Sequence, residues 1–321
     1  MAVYTEVTDE DVQAFASRFD IGTVISLKGI AEGVENSNYL MVTDRDQFIL
    51  TLYEKRVHRT DLPFFIGLMR HLADRGVNCP LPVAASDGEA LHELAGRPAA
   101  VFTFLEGMWP RRITVRHCAE LGPAMARMHL AGSDFAMTRA NALGPSAWRP
   151  LYNLSADRAH LVDPALPELV STALDRFDAQ WPTGLPSGLI HADLFPDNVF
   201  FRDEELTGLI DFYFACTDFL AYDIAVALNA WCFEPDGAFN TTKARALLTG
   251  YQRLRPLAPE EMAALPVLAA GAAARFLLTR LYDWLNHPDG AFVKPKDPVE
   301  YLRKLRFHSK AADPAAYGLP A

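Results

Sequence analysis

Apolar residues recur along this chain with two different periods, and the change from one to the other divides it. Up to about residue 104 the pattern is mixed. Thr8-Asp9-Glu10-Asp11 reads as a helix start, with Thr8 capping and Asp11 three residues on, and predicts a helix to about Arg18. Thr23 to Lys28, Ser37 to Thr43 and Gln47 to Tyr53 read as antiparallel strands. Between them lie turns at Gly29-Ile30-Ala31-Glu32-Gly33 and Asp44-Arg45-Asp46. Asp61-Leu62-Pro63 opens a helix with a cap and an early proline, and Arg75-Gly76 closes it. Two more strands are expected near Ala90 to Leu94 and Pro98 to Phe104.

Beyond Phe104 helical spacing takes over. Cys118, Leu121, Met125 and Met128 mark one face of a helix over Val115 to Ala131, and Leu166 to Gln180 reads as another. A short apolar strand, Val199-Phe200-Phe201, is followed by a turn at Arg202-Asp203-Glu204-Glu205 and a second strand, Leu206 to Phe212. From Asp223 onward the pattern is mostly helical, through Thr241 to Leu254, Pro259 to Asn286 and Pro298 to His308. The expected class is α+β: an antiparallel-sheet N-terminal lobe over residues 1–105 and a larger, mainly helical C-terminal lobe over 106–321. The hinge is expected near Phe102 to Gly107. No internal repeat or low-complexity linker interrupts this order.

Composition narrows the setting. A chain of 321 residues, half of them hydrophobic, has ample core for one large or two coupled domains. A formal charge of -10 argues against general nucleic-acid binding and against an anionic membrane as partner. The first residues, through Asp11, are acidic and lack the apolar segment of a signal peptide. The Ala-rich segment from Ala269 to Trp284 is interrupted by Arg275, Arg280 and Asp283, which argues against a membrane span. Cys79, Cys118, Cys216 and Cys232 form no C-x-x-C pair and read as reduced thiols of a cytoplasmic protein. The nine histidines lack zinc spacing, so no structural metal is expected.

One stretch carries chemistry. His191-Ala192-Asp193-Leu194-Phe195-Pro196-Asp197-Asn198 has the spacing His-x-Asp-x-x-x-x-Asn, and Ile210-Asp211-Phe212 follows after a strand, a turn and a strand. Phosphoryl transfer from ATP needs the acceptor hydroxyl oriented and its proton accepted, which a carboxylate such as Asp193 can do. It also needs the phosphate charge neutralised by Mg²⁺ on hard oxygen ligands, here Asn198 and Asp211. His, Asp and Asn are common loop residues and the first spacing alone arises by chance. The second motif, in the right order, distinguishes the pattern.

With Asp218-Phe219-Leu220-Ala221-Tyr222-Asp223, these motifs resemble the protein-kinase-like fold in its aminoglycoside-phosphotransferase and choline-kinase branch. Three further stretches are similar to the homoserine kinases of this fold: Gly29 to Tyr39, Phe48 to Lys55 and Asp61 to Phe65. The resemblance implies an ATP- and Mg²⁺-dependent kinase that phosphorylates L-homoserine for threonine synthesis. It implies a small-molecule substrate, with no nucleic acid, membrane or obligate protein partner. It implies Asp193 as base and His191 as a support of the loop, structural or chemical. Asn198 and Asp211 become the metal ligands, Asp223 a structural anchor, and Gly29 and Gly33 the flanks of a phosphate-covering loop. Phe102, Phe104 and Leu105 lie in the segment whose backbone meets adenine. Tyr213, Asp218, Trp231, Arg275 and Tyr282 are candidates for the acceptor side, although such aromatics are more often core. A kinase of the same fold acting on choline, ethanolamine, an aminoglycoside or a thio-sugar remains an alternative, as does a nucleotide-binding protein without catalysis.

One departure stands out. The kinase strand lysine is matched by Thr51, and the helix over Leu62 to Arg75 contains no Glu to pair with it. Lys28, Lys55 and Arg56 are the nearby cations, the last two also readable as a solvated strand end.

Overall fold

The structure, a computed structural model, describes residues 5–30, 36–54, 57–287, 295–311 and 313–319. Gly33, Lys55 and Arg56 lie outside the described residues. The chain forms two compact units, Met1–Gly107 with Thr207–Tyr213, and Met108–Leu206 with Phe214–Ala321. The segment carrying Asp211 therefore returns to the first unit.

In the first unit, α1 (Asp9–Ala16) starts where the Thr8 hydroxyl accepts the Asp11 amide at 3.1 Å. It stops two residues before Arg18, where the Ser17 hydroxyl turns back to the Ala14 carbonyl at 2.8 Å. The strands β1 (Val24–Gly29), β2 (Ser37–Thr43) and β3 (Gln47–Leu52) precede α2 (Leu62–Asp74), and β4 (His92–Leu94) and β5 (Arg97–Thr103) follow it. The sheet is antiparallel in the order β1-β2-β3-β5-β4. Asp61 does not cap α2 with its side chain. A 3-10 turn, Arg59–Asp61, runs directly into the helix instead.

Strand alternation divides the sheet's faces. Tyr39, Met41, Leu50, Leu52, Ala99 and Val101 pack with Val12 and Phe15 of α1 in one core. The register aligns Lys28, Leu40, Ile49 and Phe102 in one row of the other face, and Asn38, Thr51 and Ala100 in the next.

The second unit contains α3 (Val115–Ala131), α4 (Pro145–Asn153), α5 (Leu166–Gln180), β6 (Ser187–Ile190) and β7 (Val199–Arg202). Then come β8 (Glu205–Leu209), which passes into the first unit at Thr207, β9 (Cys216–Phe219), α6 (Leu220–Trp231), α7 (Thr241–Gln252), α8 (Pro259–Leu285) and α9 (Pro298–Lys310). Sequence periodicity misses α4, β6 and β9, which are short, and starts α6 three residues late. The strand expected to reach Phe212 ends at Leu209. Asp211 has φ +64°, which breaks the extended chain, and a 3-10 turn, Phe212–Phe214, follows. Between β7 and β8, Asp203 and Glu204 have φ +49° and +67°, as a tight hairpin requires.

Two glycines bring α3 and α7 together. A Cβ on Gly122 would meet the Leu247 carbonyl at 2.1 Å, and one on Gly250 the Ala119 carbonyl at 2.9 Å. α8 is long and apolar enough to cross a membrane, but 78% of its most apolar window is buried inside the protein. It packs against α4, α5, α6 and α9 as a core helix.

A closed polar network joins these helices. Asn229 of α6 donates to the Ala225 and Ala269 carbonyls, both at 2.9 Å. Its Oδ1 accepts from His308 Nε2 at 3.2 Å, and His308 Nδ1 accepts from the Tyr317 hydroxyl at 2.9 Å. Burial, aided by Lys304, pushes the His308 ring down to about 3, so it stays neutral in the folded protein. The unfolded ring takes its proton near 6.5, so this residue withdraws stability as pH falls from there toward 3. From pH 7 to pH 5 its contribution is about 2 kcal/mol. His308→Gln, which keeps a donor and an acceptor but does not titrate, is expected to lose that much less stability than the parent between the two pH values. Urea unfolding at both pH values checks it, and equal pH sensitivity in the two proteins would assign the acid loss to other groups.

Candidate active site

The loop after β6 has its backbone committed on several sides. The His191 and Ala192 amides donate to the two oxygens of Asp223, at 3.0 and 2.7 Å. Ala192 is left-handed, φ +64°, and its carbonyl accepts from the Arg275 guanidinium. The Asp193 amide donates to His191 Nδ1 at 3.3 Å. The Asp193 carbonyl accepts from the Phe195 amide and from Asn198 Nδ2, both at 2.8 Å. The Leu194 carbonyl accepts from Trp231 Nε1 at 2.7 Å. A non-glycine residue at positive φ persists only where its surroundings over-determine it, and here they do.

Asp193 is half-buried, with Asn198 Nδ2 at 3.2 Å from its Oδ2. Burial pushes its carboxyl up to about 6; Arg275 opposes this, Asp197 adds to it, and Lys296 and Asn198 pull it back. A carboxylate poised there suits proton acceptance near neutrality. Both side-chain hydrogen bonds of Asn198 use Nδ2, so Oδ1 is the atom that could ligate a metal. Asp211, on the first unit, presents an exposed carboxylate. Each is a hard oxygen donor of the kind that a divalent cation takes beside waters and phosphates. Among the described residues no group of three or more His, Cys, Asp or Glu could hold a metal.

Asp223 is fully buried. Burial acts to raise its carboxyl, but the hydrogen bond from His129, the field of the His129 and His191 rings and the His191 amide outweigh this and hold it below the ordinary value. Behind it runs a directed chain. Arg255 pairs with Glu261 at 2.9 Å and donates to the Tyr251 oxygen at 3.2 Å. Tyr251 then donates to His129 Nδ1 at 2.7 Å, and His129 Nε2 to Asp223 at 3.0 Å. Sequence reading passed over His129 and Tyr251. One lies in a helix of ordinary periodicity and its partners are 94 and 122 positions away, so no local signal marked them.

The other sequence candidates stand in varied surroundings. His191 is fully buried and holds the Asp193 amide, which makes it a positioning residue. Trp231 is corrected from the acceptor side to the core, since it is wholly buried and spends its indole N–H on Leu194. Tyr213 belongs to the first unit, where its ring meets Tyr53 and Phe65. Arg275 is buried beside Ala192, its guanidinium 4.5 Å from the Phe276 ring centroid. Asp218 is engaged by Asn141 and by the Phe219 amide, each at 2.7 Å. Tyr282 is partly exposed on α8, seven positions and about two turns beyond Arg275. Gly29 ends β1 opposite Tyr39. Phe102 is buried within β5, while Phe104 and Leu105 follow its end; Leu105 packs on Gly208, where a Cβ would lie 2.4 Å from its Cδ2.

Comparison with known proteins identifies relatives of the chain. The model of the phosphotransferase enzyme family matches residues 26–257. A homoserine kinase of Rhodospirillum rubrum is 63% identical over 319 residues, covering 99% of both chains. One of Xanthobacter autotrophicus is 63% identical over the full length of both. Among solved structures, an amicoumacin kinase in complex with AMP-PNP, Ca²⁺ and Ami is similar at TM-score 0.71 and 15% identity, over 95% of each chain. A choline kinase from Cryptosporidium parvum is similar at TM-score 0.68 and 13% identity, over 94% of this chain and 95% of that one. The fold is thus protein-kinase-like. With the His-x-Asp loop, its Asn and the following Asp on that fold, the chain belongs to the phosphotransferase enzyme family, among sequences of the homoserine kinase group.

Proposed function

We propose that this protein transfers the γ-phosphoryl group of ATP to the hydroxyl of L-homoserine, giving O-phospho-L-homoserine for threonine synthesis in the cytoplasm. The observation that carries this reading is Asp193: a carboxylate raised by burial, on a loop whose backbone is held by Asp223, His191, Arg275 and Trp231. High identity to homoserine kinases over the whole chain supports the acceptor. Asp193 orients the homoserine hydroxyl and takes its proton. Asn198 and Asp211 supply oxygen ligands for Mg²⁺, which neutralises phosphate charge when bound. Residues 1–105 form the nucleotide-binding lobe, with the backbone around Phe104 and Leu105 meeting adenine and Gly29 and Gly33 flanking the phosphate-covering loop. Residues 106–321 form the catalytic lobe. On that side the Arg275 charge favours an acceptor carboxylate and an ionised Asp193 alike.

ADP release with Mg·ATP tests the reading across L-homoserine, choline, ethanolamine, methylthioribose, an aminoglycoside and no acceptor. Turnover is expected with homoserine alone. Turnover with a different acceptor would retain the kinase chemistry and replace the substrate. Silence across the panel with ATP still bound would favour a non-catalytic nucleotide-binding protein.

A further inference from the structure

Kinases of this fold ordinarily set a strand lysine against a helix glutamate, which holds phosphates and ties strand to helix. Here the strand position is Thr51, and α2 has no glutamate. Among the described residues, neutral contacts join β3 to the Asp211 segment and α2. Thr51 is buried, and its hydroxyl donates at 2.8 Å to Oδ1 of Asn38, its register partner on β2. The Tyr213 hydroxyl lies 3.2 Å from the Tyr53 hydroxyl. The Tyr213 ring stands edge-to-face on Tyr53, centroids 5.4 Å apart, and on Phe65 of α2 at 5.5 Å.

Tyr213 follows Asp211 by two residues, and Asp211 holds the left-handed backbone that needs over-determined surroundings. Rings alone could slide against one another. The hydrogen bond between the two hydroxyls sets the height of Tyr213 against the sheet, because each loses its partner if the segment moves.

We propose that the Tyr53–Tyr213 hydroxyl pair, packed on Phe65, takes the place of the strand–helix ion pair and positions the Asp211 carboxylate for the divalent ion. The proposal rests on the kinase reading above. Tyr213 and Tyr53 are positioning residues that act through Asp211. Thr51 brings no charge to the triphosphate, so nucleotide binding depends more heavily on the divalent ion.

Mn²⁺ binding to the whole protein in the presence of ADP, followed by electron paramagnetic resonance, tests this beside steady-state kinetics. Tyr213→Phe and Tyr53→Phe keep both rings and remove one hydroxyl each. In each variant Mn²⁺ affinity is expected to fall about tenfold, as for the outer partners of a metal ligand, with kcat falling alongside. The homoserine KM and the melting temperature are expected to stay near parental values. Unchanged Mn²⁺ affinity in both variants would overturn the proposal. So would a loss confined to the homoserine KM, which would return Tyr213 to the acceptor side. A parent protein that turns over homoserine but binds Mn·ADP no differently from Tyr213→Phe sinks the bridge alone. A parent that binds no Mn·ADP sinks the kinase reading and the bridge with it.

Discussion

Asp193→Asn is expected to lower kcat by about 10²–10⁴-fold, the range for removing a positioned general base. The substitution keeps the size of the side chain. It leaves intact the Asp193 amide bond to His191 and the carbonyl bonds from Phe195 and Asn198. The loop should therefore stay in place, with MgATP affinity and circular dichroism unchanged. The loss is specific because an amide cannot accept the hydroxyl proton. If kcat and kcat/KM fall together, the interaction removed belongs to the transition state. A variant with near-parental turnover would move the base role to another group. A variant that loses nucleotide binding as well would show that the loop had collapsed.

Asp223→Ala carries the largest expected effect on stability. The side chain is wholly buried and accepts from the His191 amide, the Ala192 amide and the His129 ring. Removing it strands those donors in the interior, at a cost of about 3–5 kcal/mol, a large part of the stability of an ordinary domain. The carboxyl lies below its ordinary value of 3.8, so its contribution is present above that pH and is lost only as pH falls through the depressed folded value. Activity should vanish too, since Asp223 sets the two residues before Asp193. Asp223→Asn separates the effects: it fills the space but turns an N–H toward donors, so the fold should be partly kept and turnover lost. Urea unfolding beside ADP release measures both. Parental stability in Asp223→Ala would mean that water or a shifted backbone satisfies the three donors.

The candidate site was legible in the chain where its residues stand at short spacing. Asp193 and Asn198 are five positions apart on one loop, and their mutual hydrogen bond needs nothing else. Several elements were equally legible. Ser37–Thr43, Val115–Ala131 and Leu166–Gln180 run as their periodicity predicts, because a repeat of two or of 3.6 is written in neighbouring residues. Trp231 was misread for the opposite reason. A tryptophan on an apolar helix looks the same whether its face meets a ligand or the underside of a loop, and only Leu194, 37 positions away, decides it.

By itself, the sequence determined the order of the longer strands and helices, the residue types of the phosphoryl-transfer chemistry and the absence of the strand lysine. Those depend on local backbone preference, on periodicity and on which functional groups exist at all. Only the tertiary structure decided that Arg275 braces the Ala192 carbonyl, that His129 and Tyr251 stand behind Asp223, and that Tyr213 belongs with Tyr53. Each of these is a buried polar contact between residues far apart in the chain. Such a contact leaves no periodic trace, because its energy depends on the three-dimensional exclusion of water and on the partner that burial supplies.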